Sequence, residues 1–173
     1  MWRTRLTTIA AIAAVLALGG CGDGGSAPAS TPEATAPGGT VTVYFANDAG
    51  ELVAKTRPTP AGVDPLRAAM TLLAQGPSAP ELIPALPAGT RVLGTRVDGG
   101  VATVDLSGEF ESGYPSGGSA AELAVVAPLV RTAAEAAGTG RLRILVEGRA
   151  PEPAGGALDL SQPLSPEDVA AGG

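Results

Sequence analysis

Between Gly22 and Thr40 the chain reads GDGGSAPASTPEATAPGGT, nineteen residues without one Val, Ile, Leu, Met, Phe, Tyr or Trp. A segment with nothing to bury cannot offset the entropy of ordering it. Whatever folds must therefore be built from the residues that follow. As a coil of Gly, Ser, Pro, Thr and Ala the segment reaches roughly 25 Å, so residues 22–40 are read as a flexible tether and the globular part as residues 41–165.

The pattern changes at the tether's end. Thr40 to Phe45 alternates, with Val41, Val43 and Phe45 on one side and Thr42 and Tyr44 on the other, which predicts a strand. Asn47-Asp48-Ala49-Gly50 is turn chemistry, and Leu52 to Arg57 alternates again until Pro58 and Pro60 are expected to stop it. Asp64 followed by Pro65 opens a helix, with Leu66, Ala69, Met70 and Leu73 on one face and Gly76-Pro77 as the stop. Leu82, Ile83 and Leu86 are available to pin the connection over residues 80–89 to the core. Arg91 to Val97 and Val101 to Leu106 flank Asp98-Gly99-Gly100, a hairpin signal because glycine supplies the positive φ that a tight turn demands. Residues 107–118 read as a glycine- and serine-rich surface loop. Ser119-Ala120-Ala121-Glu122 fits a capping box, opening a second helix with a stripe of Leu123, Val126, Ala127, Val130 and Ala134. Pro128 within it predicts a kink or break. Gly138 and Gly140 end that helix, Leu142 to Glu147 forms a last strand, and Leu158 to Leu164 packs back in extended form. Residues 166–173 are read as a frayed tail. Two strands, helix, two strands, helix, strand predict an α/β (α+β) two-layer sandwich, with a mixed sheet of about five strands and two helices.

The N-terminus reads as an address. Arg3 and Arg5 precede an uncharged apolar run from Leu6 to Leu18, too short for a membrane span of about 20 residues. The run ends in Leu18-Gly19-Gly20-Cys21, which resembles the bacterial lipoprotein signal. That resemblance implies removal of residues 1–20, a diacylglyceryl thioether on Cys21 and anchoring at the extracytoplasmic face of the cell membrane. It also accounts for the only cysteine. Without Arg3 and Arg5, nine basic residues remain against seventeen acidic ones, a net charge of -8. Such a body repels anionic headgroups, so the lipid would do the holding.

Composition excludes much chemistry. There is no histidine and a single cysteine, which excludes a Ser-His-Asp hydrolase, a Cys-His nucleophile, an intrachain disulfide and the common zinc and iron-sulfur sites. A pI near 4.6 and 3% aromatics speak against nucleic acid. One lysine, Lys55, against ten arginines, with much Ala, Gly and Pro, suggests a GC-rich bacterial source.

Asp105, Glu109 and Glu111 are the best set for acid–base work on a wall glycan, which needs two carboxyls about 5–9 Å apart with different pKa values. No apolar wall is evident to raise one of them, so they are expected to be solvated and to do no chemistry. Asp105, Ser107 and Glu109 alternate like calcium ligands but lack the glycine and bidentate glutamate of a calcium loop. Neither a metal nor another cofactor is expected. Gly138 and Gly140 lack the third glycine of a dinucleotide loop. Phe110 and Tyr114 are the large apolar groups of the loop; Phe110 is weighted toward the core and Tyr114 stands evenly between core and surface. Glu109, Phe110, Glu111 and Tyr114 together form the candidate partner-binding loop.

The stretches LPAGTRVLGTRVDGGVATVDLSGEF (86–110), RLRILVEG (141–148) and LDLSQPL (158–164), with TVYFANDAGELVAKTR (42–57) and the helix at 64–76, resemble the sporulation and spore germination (GerMN) domain of bacterial envelope lipoproteins. The resemblance implies a non-enzymatic module in sporulation, germination or envelope assembly. Its partners would be the membrane through the lipid, an envelope protein or peptidoglycan, and further copies of itself. The competing class is a lipoprotein that binds or cleaves wall glycan.

Overall fold

The structure, a computed structural model, describes residues 37–115, 118–151, 156 and 158–170. The leader, Cys21 and most of the tether lie outside the described residues. The chain runs β1 (Pro37–Asn47), β2 (Leu52–Pro60), α1 (Pro65–Ala74), β3 (Leu82–Ile83), β4 (Val92–Asp98), β5 (Val101–Leu106), α2 (Glu109–Gly113), α3 (Ser119–Ala137), β6 (Arg141–Val146) and α4 (Pro166–Ala170). The α/β class holds. The expected single sheet of about five strands is instead two sheets of three, ordered β2-β1-β3 and β4-β5-β6. In the second, β4 and β5 are antiparallel, while β5 and β6 are parallel across the α3 crossover, so that sheet is mixed.

Local chemistry explains the elements that were expected. Asp64 accepts the Arg67 N–H at 2.9 Å, which caps α1 as Pro65 opens it. Gly99 and Gly100 take φ of 55° and 77°, the two successive positive values of a two-residue hairpin loop. The Asn47 side chain accepts the Ala49 and Glu51 N–H groups and closes the first hairpin.

Other elements depart from the sequence reading, each for a physical reason. β1 begins at Pro37, so residues 37–40, read as tether, pair with β2. β2 continues through Pro58 to Pro60 because it is an edge strand, whose outer side needs no donor. α3 is one helix from Ser119 to Ala137 with Pro128 buried inside it. Its packing on β1 and α1 holds it together where a break was expected. The pairing edge of β1 beyond the two-residue β3 is partly served by α3, as the Tyr44 N–H donates to the buried Thr132 hydroxyl at 3.0 Å. Residues 166–170 form α4 rather than a frayed tail, with Val169 buried. Its start is a capping box: Asp168 accepts from the Ser165 N–H and hydroxyl at 2.7 and 2.8 Å, and Ser165 accepts the Asp168 N–H. Just before it, Leu164 exchanges two backbone hydrogen bonds of 2.8 Å with Leu142 on the free side of β6.

One core joins these pieces. Val43 and Phe45 of β1, Met70 and Leu73 of α1, Val104 and Leu106 of β5, Leu129 and Val130 of α3 and Ile144 of β6 are all essentially inaccessible.

Candidate functional site

The segment after β5, read as a surface loop, contains one turn of helix, α2, held down by a core side chain. The Phe110 N–H donates to the Ser107 carbonyl at 3.0 Å and its ring is fully buried, stacked obliquely on Tyr114 with centroids 5.5 Å apart. Phe110 is thus withdrawn from the proposed partner-binding loop, because no partner can reach it. Gly113 lies so close to Pro87 that a Cβ there would come within 2.5 Å of the proline ring, which accounts for glycine at the end of α2.

Glu111 and Asp105 make structural contacts, while the Glu109 side chain stays about half exposed, as expected of a solvated carboxylate. Glu111 receives the Arg149 guanidinium on both oxygens, at 3.2 and 2.8 Å. Asp105 accepts the Gly148 N–H at 2.9 Å, and Glu147, itself at a φ of 51°, accepts the Gly108 N–H at 3.0 Å. These contacts tie the β5–α2 junction to the turn after β6. Ser107 is buried, with its hydroxyl accepting the Arg91 N–H at 3.0 Å, so Asp105, Ser107 and Glu109 do not present alternating ligands. No group of three or more Asp, Glu, His or Cys among the described residues could hold a metal ion. Glu109 lies 3.8 Å from Arg91. The Ser107 hydroxyl, the backbone N–H of Glu109 and the Arg91 charge hold its carboxyl below the usual range. A general acid at neutral pH needs the opposite shift.

The start of α3 holds what the sequence pattern misjudged. Its N-cap is Gly118 and no side chain caps it. Glu122, assigned to a capping box, is 1% exposed and accepts the Leu158 N–H at 3.2 Å. Its carboxylate lies against Gly156, where any side chain would overlap it. Glu122 therefore staples the tail to α3. Beside it the Tyr114 hydroxyl is buried, with no hydrogen-bond partner among the described residues. Burial, and secondarily the Glu122 charge, push that hydroxyl up to about 12.

On another side of α3 lies an open groove of ≈ 670 Å³. Ala46 and Leu52 from the first hairpin, Leu123, Ala127 and Arg131 from α3, and Val169 from α4 line it. Arg131 sits 5.6 Å from the centre of the Tyr44 ring, and the Tyr44 hydroxyl donates to Glu135. That bond lowers the Glu135 carboxyl and raises the Tyr44 hydroxyl. Sequence reasoning missed the groove because α4, one of its walls, had been read as frayed. The signal was present in Ser165-Pro166-Glu167-Asp168, a cap residue, a proline at the first helical position and an acid three residues on.

The family described as Germane, sporulation and spore germination, matches residues 42–152. The chain belongs to the Germane family. A comparison with curated proteins finds no match. Among solved structures, the Germane domain is similar to the first GerMN domain of the sporulation protein GerM from Bacillus subtilis, at 23% identity and a TM-score of 0.52, over 64% of this chain and 84% of that one. It is similar to the tandem GerMN domains of the same protein at 21% identity and a TM-score of 0.59, over 79% of this chain and 47% of that one. A candidate lipoprotein from Clostridium perfringens matches at 23% identity and a TM-score of 0.53, over 75% of this chain and 90% of that one. These likenesses concern the fold of the Germane domain. Of the predicted site residues, the fold brings Glu109, Glu111 and Tyr114 around the buried Phe110 and keeps them apart from the groove; Cys21 lies outside the described residues.

Proposed function

We propose that this chain is a lipid-anchored Germane module on the extracytoplasmic face of the cell membrane that binds another envelope protein or a wall component and performs no chemistry. One observation carries the non-enzymatic reading: of the carboxylates best placed for catalysis, Asp105 and Glu111 are taken up by structural contacts, and Glu109 lacks the raised pKa of a general acid. Glu111 is locked to Arg149 and Glu109 is shifted away from the pKa that a general acid needs. The family supports a role in sporulation, germination or envelope assembly, and the open groove beside α3 is one surface available for binding. Anchoring rests on the Leu18-Gly19-Gly20-Cys21 signal, and the likeness to a candidate lipoprotein is in keeping with it. No helix among the described residues is long and apolar enough to cross a membrane.

Cell fractionation tests the anchor. Cys21→Ser is expected to appear in the medium or as an uncut precursor. A variant that stayed in the membrane fraction through a high-salt wash would refute lipid anchoring at this residue.

A further inference from the structure

The β4-β5-β6 sheet has two unlike faces. Ala102, Val104 and Leu106 of β5 and Leu142, Ile144 and Val146 of β6 are buried, on the side where α1 and α3 pack. The other face is set by the register. Arg96 of β4 is opposite Thr103 of β5, and Thr103 is opposite Arg143 of β6. Residues in register share a face, so these three stand in one row across the sheet. The two arginine Cα atoms are two strand spacings apart, about 10 Å. Arg141 follows on the same face, two residues away along β6, or about 7 Å. Thr103 points away from the core yet is only 4% exposed, as expected for a central-strand residue between long arginine stems.

This row is electrically out of keeping with its surroundings. After loss of the leader the chain is strongly acidic, and most of its other arginines have partners: Arg91 and Arg149 face carboxylates, Arg57 donates to the Gly76 carbonyl and Arg131 lies over Tyr44, while Arg67 stands exposed on α1. Arg96 and Arg143 have no hydrogen-bond or ion-pair partner among the described residues. Two guanidinium forks, each able to hold a carboxylate by parallel N–H bonds, are thus left pointing outward. Two aspartates frame the patch, since Asp98 shares a row with Val101 and Arg141, and Asp105 one with Gly94 and Leu145. An evenly charged polymer would have to cross them. A polypeptide can place its acids over the arginines and its apolar groups over Val101 and Leu145, which lie in the neighbouring rows of the same face and are partly exposed. Arginine beside exposed apolar surface is the usual make-up of a protein interface.

We propose that the outer face of the β4-β5-β6 sheet, centred on Arg96, Thr103 and Arg143, docks an acidic segment of a partner protein. The proposal rests on the reading of this chain as a binding module and specifies the chemistry of its partner.

The test uses the full chain in neutral detergent and a dye-labelled peptide alternating Glu and Val, with binding read by fluorescence anisotropy. A poly(glycerol phosphate) polymer is run in parallel. Wild-type chain should bind the peptide, and Arg96→Gln with Arg143→Gln should weaken binding about tenfold. Lys55→Gln with Arg67→Gln removes the same charge elsewhere and should change it less than about twofold. If the first pair lowers the melting temperature, Arg96→Lys with Arg143→Lys takes over the test. It keeps the charge but loses the fork, and should still bind several-fold more weakly than wild type. No binding by wild type, equal losses in the two glutamine pairs, or wild-type affinity in the lysine pair would overturn the proposal. Tighter binding of the phosphate polymer through the same arginines would overturn the choice of an acidic polypeptide. None of these outcomes touches the non-enzymatic reading, which stands or falls on release of wall fragments.

Discussion

The α2 segment and the groove beside α3 make an instructive pair. The first holds the residues usually associated with chemistry, three carboxylates and two aromatics within ten positions, and in the fold it is closed: Phe110 is core and Glu111 is paired. The second is walled by alanine, leucine and valine with Arg131 at its side, and it is open. Reactive residue types therefore mark the part of this domain that holds itself together, while ordinary small apolar residues leave the accessible surface. Carboxylates drawn into contacts explain part of the difference. Each costs desolvation unless it is paired or hydrogen-bonded, so one that has been withdrawn from water, such as Glu122, has been recruited to join two chain segments.

If α2 is structural, damage to it should cost stability. Phe110→Ala should lower stability by about 3–5 kcal/mol, read from chemical denaturation; a loss under about 1 kcal/mol would mean that the ring is not core. Glu122→Ala should cost about 1–3 kcal/mol by stranding the Leu158 N–H, and hydrogen exchange should show faster exchange around residue 158. An unchanged exchange pattern would separate Glu122 from the tail.

A smaller effect concerns pH. The Tyr114 hydroxyl is held up to about 12 in the folded chain, against an ordinary value of 10.0. A raised folded pKa means that the unfolded state gives up its proton first, so stability is intact below about pH 10 and falls from there toward pH 12. The melting temperature should drop more between pH 9 and 11 in wild type than in Tyr114→Phe. Because the hydroxyl has no partner among the described residues, Tyr114→Phe should cost nothing at pH 7. Equal drops in the two proteins would place that hydroxyl in water. A small change is also expected from Glu111→Gln, about 0.5 kcal/mol for a half-exposed ion pair. A cost above about 2 kcal/mol would show that the pair to Arg149 is a principal support of α2.

How far the sequence discloses this can be followed residue by residue. α1 was legible because Asp64, Pro65 and the apolar spacing agree, and both hairpins were legible because their turns need asparagine or glycine. The two-residue β3 was not, since Leu82 and Ile83 become a strand only where the end of β1 offers a partner. Ser119-x-x-Glu122 and Ser165-x-x-Asp168 show the limit most clearly. Both spell a capping box, yet only the second forms one, while the tail draws Glu122 into the interior. Tertiary contact made that choice. The partner-binding loop failed at Phe110 for the same reason: a glycine-rich surrounding reads as surface, and only the packed fold shows a ring beneath it.

Binding without chemistry is the central claim, and incubation of the full chain with insoluble peptidoglycan, with soluble fragments measured over time, tests it most directly. Wild type and the Glu109→Gln, Glu111→Gln double variant should both release nothing above the protein-free background. Fragment release by wild type that disappears in the double variant would show that these carboxylates do catalysis, and the account would fail.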